Sequence, residues 1–248
     1  MRICLVSLDY APFRGSGLAI YAEDLARGLR ERSHDVTVVA ALRPGTAPLA
    51  DAGGIVVRRV PIGPSDWIGY SARAARAVAQ LHAGQPFDVI HFADVHFAYA
   101  FRGPFVASLW QSFRQRLHAD GGRPYASSRR NYAVRLIYYN IARMWMERLS
   151  LARAGRMIAA CESTRQEFIS FYNVAPNRIS YAPQGTDLSA LRPVPADALR
   201  RRLGLEGRRV VLFVGFATAR KGLEYMARAL RVLPGDVAWV IVGRWEPG

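Results

Sequence analysis

Two short runs and one strand end of this chain carry residue types that chemistry can use. The first run is Val214-Gly215-Phe216-Ala217-Thr218-Ala219-Arg220-Lys221-Gly222, between an apolar strand pattern and a helical one. Arg220 and Lys221 fall where the helix begins, and Lys221 is the only lysine in the sequence. Two cations beside open backbone N–H groups make a seat for a diphosphate, with Gly215 and Gly222 leaving room for close approach. When a bond to such a diphosphate breaks, charge builds on the leaving group, and each preorganised donor there is typically worth about 10²–10³ in rate. The plainer reading is two solvated cations, a placement that the positive end of a helix disfavours.

The second run, Asp9-Tyr10-Ala11-Pro12-Phe13-Arg14-Gly15-Ser16-Gly17, leads from the first strand pattern into a helix. Gly15, Ser16 and Gly17 let a phosphate or acceptor group reach the helix N-terminus. Read as structure alone, it is a flexible turn. It is not a dinucleotide fingerprint, because Ile20 takes the place of the third glycine and the second strand ends Val38-Val39-Ala40-Ala41 with no acid.

The third group is His91, Asp94 and His96, at the carboxyl end of a predicted strand, the edge where open α/β sheets bind ligands. Asp94 is a candidate to orient an acceptor or to support positive charge in a transition state, and His91 to hold a hydroxyl. The structural alternatives are a hydrogen-bonded strand-end histidine and an aspartate that caps a turn. His96 and His118 read as surface or structural residues, and Glu23 as a helix residue near the glycine loop. No Asp-x-Asp occurs, and His91, Asp94 and His96 need not converge, so no metal site is expected.

These residues need a scaffold, and the apolar pattern supplies one. Strands are expected at Ile3–Leu8, Val36–Ala41, Ile55–Val60, Asp88–Phe92, Phe105–Leu109, Met157–Cys161, Arg178–Ala182, Val210–Val214 and Ala238–Val242. Several are apolar on both faces, as strands of a covered parallel sheet must be. Leu18, Ala22, Leu25 and Leu29 line one face of a helix from Ala19 to Arg32, and Leu223, Met226, Leu230 and Leu233 repeat the pattern. The alternation predicts an α/β fold with a doubly wound parallel sheet. It divides into an N-terminal domain over 1–183, a linker over 184–209 and the first part of a second Rossmann-like domain over 210–248. The last piece has few strands to pair, and the ending Trp245-Glu246-Pro247-Gly248 reads as an interruption.

Composition bounds the partners. The 248 residues are 51% hydrophobic, with 34 basic against 19 acidic side chains. The charge invites a nucleic-acid or membrane reading, but nearly every cation is Arg, as a GC-rich genome would produce, and no zinc, helix-turn-helix or RNP signature accompanies it. Nucleic acid is therefore not expected. From Arg102 to Arg156 eleven arginines face only Asp120 and Glu147, interleaved with Trp110, Phe113, Tyr132, Tyr138 and Trp145. Such a stretch suits an anionic membrane surface; equally, it suits a long helix packed in the fold with Arg stems over apolar surface. No apolar run approaches the roughly 18 residues of a spanning helix. Cys4 and Cys161 both fall in strand patterns read as buried, and two isolated thiols point to a reducing compartment. A cytoplasmic protein resting on the inner membrane face is expected.

In order and spacing, these landmarks resemble the retaining glycosyltransferases of family 4, which have the GT-B fold. Met1–Ala41, with Gly15-Ser16-Gly17, Ala22-Glu23-Asp24-Leu25-Ala26 and His34-Asp35-Val36, is similar to the family's opening. Phe87-Asp88-Val89-Ile90-His91-Phe92-Ala93-Asp94 is similar to its next landmark, and Gln184-Gly185-Thr186-Asp187 stands where the family usually shows Asn-Gly-Val-Asp between its domains. Val211–Leu230, with Arg220-Lys221-Gly222, resembles the donor-phosphate loop, and its Arg-Lys-Gly form is similar to the branch containing lipopolysaccharide-core glucosyltransferases. The resemblance implies transfer from a nucleotide-diphosphate sugar to a glycan or lipid-linked acceptor in bacterial envelope polysaccharide biosynthesis, with no metal or other cofactor. Three departures stand out: Trp110 where the family often has His, Phe216 where an Arg is frequent, and no E-x7-E motif within the chain. The alternatives are an inactive truncated form of such an enzyme, and a basic nucleic-acid- or membrane-binding protein.

Overall fold

The computed structural model describes residues 1–63, 66–115, 129–185, 188, 192, 195–215 and 221–243. Those up to Gly185, apart from Arg129, form one compact unit, and those from Leu188 onward form a second.

The first unit is built on an eight-stranded sheet. In chain order its elements are β1 (Arg2–Val6), α1 (Gly17–Glu31), β2 (Asp35–Ala41), β3 (Leu49–Asp51), β4 (Val56–Val60), α2 (Trp67–Gly84), β5 (Val89–Phe92) and β6 (Val106–Leu109). There follow α3 (Arg129–Ile137), a π-helical segment (Tyr138–Arg143), α4 (Met144–Arg153), β7 (Arg156–Ala159), α5 (Glu162–Tyr172) and β8 (Ile179–Tyr181). The strand order is β3-β4-β2-β1-β5-β6-β7-β8, all parallel except the β3–β4 pair. Order reverses at β1, which pairs with β2 on one side and β5 on the other. In such sheets ligands usually bind outside the carboxyl ends of the strands at that reversal, here β1 and β5.

Burial on both faces explains the continuous apolar runs. Ile3 to Val6 are all buried, with Cys4 and Val6 in one core cluster and Leu5 in the other. Val36, Val38 and Ala40 likewise face one side, and Val39 and Ala41 the other, the period of two expected of a strand. On one face α1 lies close through the small residues Ala19, Ala22 and Ala26, with Leu18, Leu25 and Leu29 packing at its flanks. On the other, α2 contributes Tyr70, Ala74 and Val78. Phe92 and Phe168 are fully buried, each worth about 2–3 kcal/mol of burial.

The α2 helix starts where Asp66 accepts from the Gly69 N–H at 2.8 Å and pairs with Arg73, a cap worth about 1 kcal/mol. At the amino edge of the sheet, Arg2 ties three strands together. Its Nε donates to Asp35 at 3.0 Å, its backbone N–H to Asp88 at 2.7 Å, and its Nη1 to the Gln85 and Pro86 carbonyls.

Two features differ from the expectation. The edge strand β3 is absent from the sequence reading because Leu49-Ala50-Asp51 is too short to show a period. Cys161 is exposed rather than buried in a strand: β7 ends at Ala159, and Cys161 becomes the N-cap of α5, its Sγ accepting from the Thr164 N–H at 3.4 Å.

The second unit contains α6 (Asp197–Arg202), β9 (Arg209–Val214), α7 (Leu223–Leu230) and β10 (Val237–Val242). β9 and β10 pair in parallel from Arg209↔Val237 to Val214↔Val242. Leu212 and Val214 are 59% and 71% exposed, and only Leu205 and Ala238 are buried hydrophobics among its described residues.

Candidate functional site at the carboxyl edge of the sheet

The loop after β1 is clamped rather than slack. Asp9, itself buried, receives both Nε (3.1 Å) and Nη2 (2.8 Å) of Arg43 on Oδ1, and the Ser16 hydroxyl at 3.3 Å on Oδ2. The buried Arg59 reaches across from β4 to donate to the Ala11 carbonyl at 2.6 Å and the Ala47 carbonyl at 3.0 Å. Arg43 also lies over the Phe13 ring, 5.0 Å from its centroid, and Arg14 forks onto Glu23 at 2.7 and 2.8 Å. Asp9 and Arg14 within the loop are thus held by Arg43 after β2 and Glu23 of α1, and the loop backbone by Arg59 of β4. The sequence reading missed Asp9, Arg43 and Arg59, whose partners lie 34 and 48 positions away.

This clamp has a consequence at the helix start. Ser16 is the N-cap of α1, but its hydroxyl is turned toward Asp9 and makes no capping bond. Gly17 opens the helix, and a Cβ built there meets nothing within 4 Å. A helix N-terminus without a side-chain cap has free N–H groups suited to an anion or a hydroxyl oxygen. At Gly15, by contrast, a Cβ would collide with the Phe13 ring.

One strand along, β5 leads His91 and Asp94 into different surroundings. His91 is buried, and its Nε2 lies 2.8 Å from Ser108 Oγ on β6, which is in turn 2.8 Å from the Tyr21 hydroxyl of α1. Burial lowers its pKa to about 4, so it is a neutral ring at pH 7. Asp94 lies just past the strand end, its side chain 19% exposed. Its Oδ1 caps a 3₁₀ turn (Val95–Phe97), accepting the His96 N–H at 2.9 Å, and also meets His96 Nδ1 at 2.6 Å.

His96 is buried between two carboxylates, with Nδ1 on Asp94 and Nε2 2.8 Å from Glu147 Oε1. Burial alone would depress its pKa, but the charges of Asp94 and Glu147 and their hydrogen bonds outweigh it and raise the value to about 9. For Asp94 burial pushes upward, and the His96 charge and hydrogen bonds override it to hold the carboxyl below its ordinary range. The fully buried Glu147 also accepts from the Tyr172 hydroxyl and, at 3.3 Å, from the Phe113 N–H.

Trp110 follows β6 and donates its Nε1–H to the Ala93 carbonyl at 2.7 Å, with Tyr21 edge-on to it at 4.7 Å. The indole therefore abuts the strand end that carries Asp94.

The structure brings Gly15, Ser16, Gly17 and Asp94 to one sheet edge, after the neighbouring strands β1 and β5. His91 sits one turn of the pleat inward. Gln184 and Gly185 are exposed beyond β8, while Asp187 lies outside the described residues. In the second unit Lys221 is exposed immediately before α7, whose N-cap is Gly222 with φ +72°, and Gly215 follows β9 with φ +151°. Both glycines hold backbone angles that other residues adopt only with strain. Arg220 lies outside the described residues. No cluster of three His, Cys, Asp or Glu groups suited to a metal ion occurs among the described residues.

A mostly parallel, doubly wound sheet whose strand order reverses between β1 and β5 is the architecture of a GT-B-like N-terminal half. The chain belongs to glycosyltransferase family 4, whose model matches residues 15–190. It is 28% identical over 255 residues to the D-inositol 3-phosphate glycosyltransferase 1 of Catenulispora acidiphila, a match covering 92% of this chain and 56% of that protein. An uncharacterized glycosyltransferase of Methanocaldococcus jannaschii is 27% identical, with 93% of this chain and 59% of the relative covered. Among solved structures, sucrose-phosphate synthase from Thermosynechococcus elongatus has a similar fold (TM-score 0.72, 17% identity, 99% of this chain and 63% of that one). So does Anabaena HepE in complex with UDP-glucose (TM-score 0.63, 19% identity, 98% and 61%). The chain thus spans a little over half the length of the curated relatives it matches.

Proposed function

We propose that this chain carries the acceptor-side domain, and the beginning of the donor-side domain, of a retaining glycosyltransferase that uses a nucleotide-diphosphate sugar. The observation that carries the reading is the occurrence, at one sheet edge, of the uncapped α1 N-terminus at Gly17 and the partly exposed carboxylate of Asp94. Backbone N–H groups suit phosphate or hydroxyl oxygens. A carboxylate kept ionised suits an acceptor hydroxyl, or the positive charge that develops at an anomeric carbon as its leaving group departs. His91, neutral and bonded to Ser108, supports β5 from within rather than offering a second charge. Lys221, with Arg220, Gly215 and Gly222, is assigned to the donor diphosphate, and Gln184, Gly185 and Asp187 to the passage between domains.

HepE is solved with UDP-glucose, which supports a nucleotide sugar as donor here. The acceptor class proposed is a cell-envelope glycan or a lipid-linked sugar; the names of the actinobacterial relatives add a phosphorylated inositol to the acceptors worth testing. The test is transfer from UDP-, GDP- and ADP-sugars to these acceptors by the gene product, with the product anomer read by NMR. Transfer abolished in Asp94→Asn supports the reading. A gene product that uses no nucleotide sugar overturns it.

A peripheral membrane role is part of the proposal. Val134, Ile137, Ile141 and Trp145 recur at helical spacing and are 59%, 61%, 68% and 62% exposed, while Met146, Glu147, Ser150 and Leu151 are buried within the protein. The stretch packs into the fold through α4, and its exposed apolar stripe within the arginine-rich segment supports the membrane reading. No helix among the described residues is long and apolar enough to cross a membrane; the stripe suits lying in an interface. Equal binding to anionic and neutral vesicles would refute this.

A further inference from the structure

The chain of side chains behind Asp94 exceeds what a capped turn needs. A 3₁₀ turn is capped once Asp94 Oδ1 accepts the His96 N–H. Here the same oxygen also meets His96 Nδ1, and three further groups from distant elements stand behind the ring. Glu147 of α4 holds Nε2, and Tyr172 of α5 and the Phe113 N–H hold Glu147. The Phe113 ring packs edge-on against the imidazole at 4.3 Å. The His96 side chain is 8% exposed and that of Glu147 is 0%, whereas Asp94 is 19% exposed and Tyr172 half-buried. The chain of bonds passes through the buried His96 and Glu147 to the one partly exposed carboxylate, Asp94.

We propose that His96 and Glu147 are positioning residues for Asp94, fixing its Oδ1 so that the carboxylate presents one constant orientation at the sheet edge. This rests on the reading of Asp94 as a substrate-facing group. The bonded outer partners of a reactive group set its orientation and basicity, and losing one commonly costs about 10–100-fold. Two acceptors on either side of one ring also leave a single arrangement, because each nitrogen must donate. The charged and titratable groups around His96 are Asp94 on its own turn, Glu147 on α4, Arg143 of the π-helical segment acting on Asp94, and Tyr172 and Glu167 of α5 acting on Glu147.

The test is NMR of the 248-residue chain with the His ring nitrogens and Asp carboxyl carbons labelled, in wild type, Glu147→Gln, His96→Gln and Tyr172→Phe. Expected are a His96 ring protonated on both nitrogens at neutral pH, a His96 midpoint that falls by about one pH unit or more in Glu147→Gln, and an Asp94 midpoint that rises in His96→Gln. Tyr172→Phe, which removes only a hydroxyl, serves should Glu147→Gln fail to fold; it is expected to change the His96 ring shifts without loss of the fold. Unmoved His96 signals in both variants, or an Asp94 midpoint indifferent to His96→Gln, overturn the proposal. In transfer by the gene product, His96→Gln should lower kcat about tenfold or more with donor KM little changed, and Glu147→Gln should move the alkaline limb of the pH profile downward. NMR coupling with full activity in Asp94→Asn would instead remove Asp94 from the reaction and leave the relay intact.

Discussion

Glu147 Oε1 lies 2.8 Å from His96 Nε2 although 51 positions separate the two residues. Glu147 is fully buried and meets three donors: the His96 ring, the Tyr172 hydroxyl and the Phe113 N–H. Glu147→Ala would remove the acceptor shared by the buried His96 Nε2 and the Tyr172 hydroxyl. Removing one member of a buried pair costs about 3–5 kcal/mol. Urea unfolding should show a loss of that order, and Glu147→Gln, which keeps the shape and an acceptor, a smaller one.

The two buried histidines should oppose each other in pH dependence. His96 has a folded pKa raised from 6.5 to about 9, so its contribution is full below 6.5 and is lost as pH rises through about 9. His91 has a folded pKa lowered from 6.5 to about 4, so the unfolded chain takes up a proton there first, and stability falls as pH drops from 6.5 toward 4. Denaturant midpoints measured from pH 4 to pH 9.5 should therefore flatten on the alkaline side in His96→Gln and on the acid side in His91→Gln. Substitutions that leave both limbs unchanged would contradict the assignment.

Gly17 and Gly222 should respond to alanine in opposite ways. A Cβ at Gly17 meets nothing within 4 Å, and no positive φ is required there. Gly17→Ala should leave thermal stability within about 0.5 kcal/mol of wild type while weakening transfer. Gly222 has φ +72°, and Gly222→Ala should cost about 1 kcal/mol. Thermal unfolding of the two variants side by side decides the matter.

Trp145 and Ile141 stand 62% and 68% exposed on the same helical stretch. Changing both to Ser removes largely exposed apolar surface, so urea stability should change by less than about 1 kcal/mol. Sedimentation with anionic vesicles should fall about tenfold or more, because even one large apolar side chain is worth about 1.5–3 kcal/mol on burial. Undiminished vesicle binding would exclude this stripe as the contact.

Much of the scaffold was legible from local pattern. Both faces of β1 and β2 are covered, so Ile3–Val6 and Val36–Ala41 had to be apolar throughout, and α1 betrayed itself through Leu18, Ala22, Leu25 and Leu29. The placement of Gly15-Ser16-Gly17 and of Asp94 after strands followed from the same pattern, and so did the second strand–helix–strand unit around Lys221. These are consequences of period and composition, which depend on neighbours in sequence.

Tertiary structure decided the rest. Which strands flank β1, and hence that the loop after β1 and Asp94 share an edge, is set by long-range pairing of β1 with β2 and β5. That Cys161 is an exposed cap, that Asp9 is clamped by Arg43, and that His96 joins Asp94 to Glu147 depends on side chains 3 to 51 positions apart meeting in space. A histidine read alone carries no record of its two carboxylate neighbours. Its charge is a property of the packed core, because only there do desolvation and two fixed anions act on the same ring.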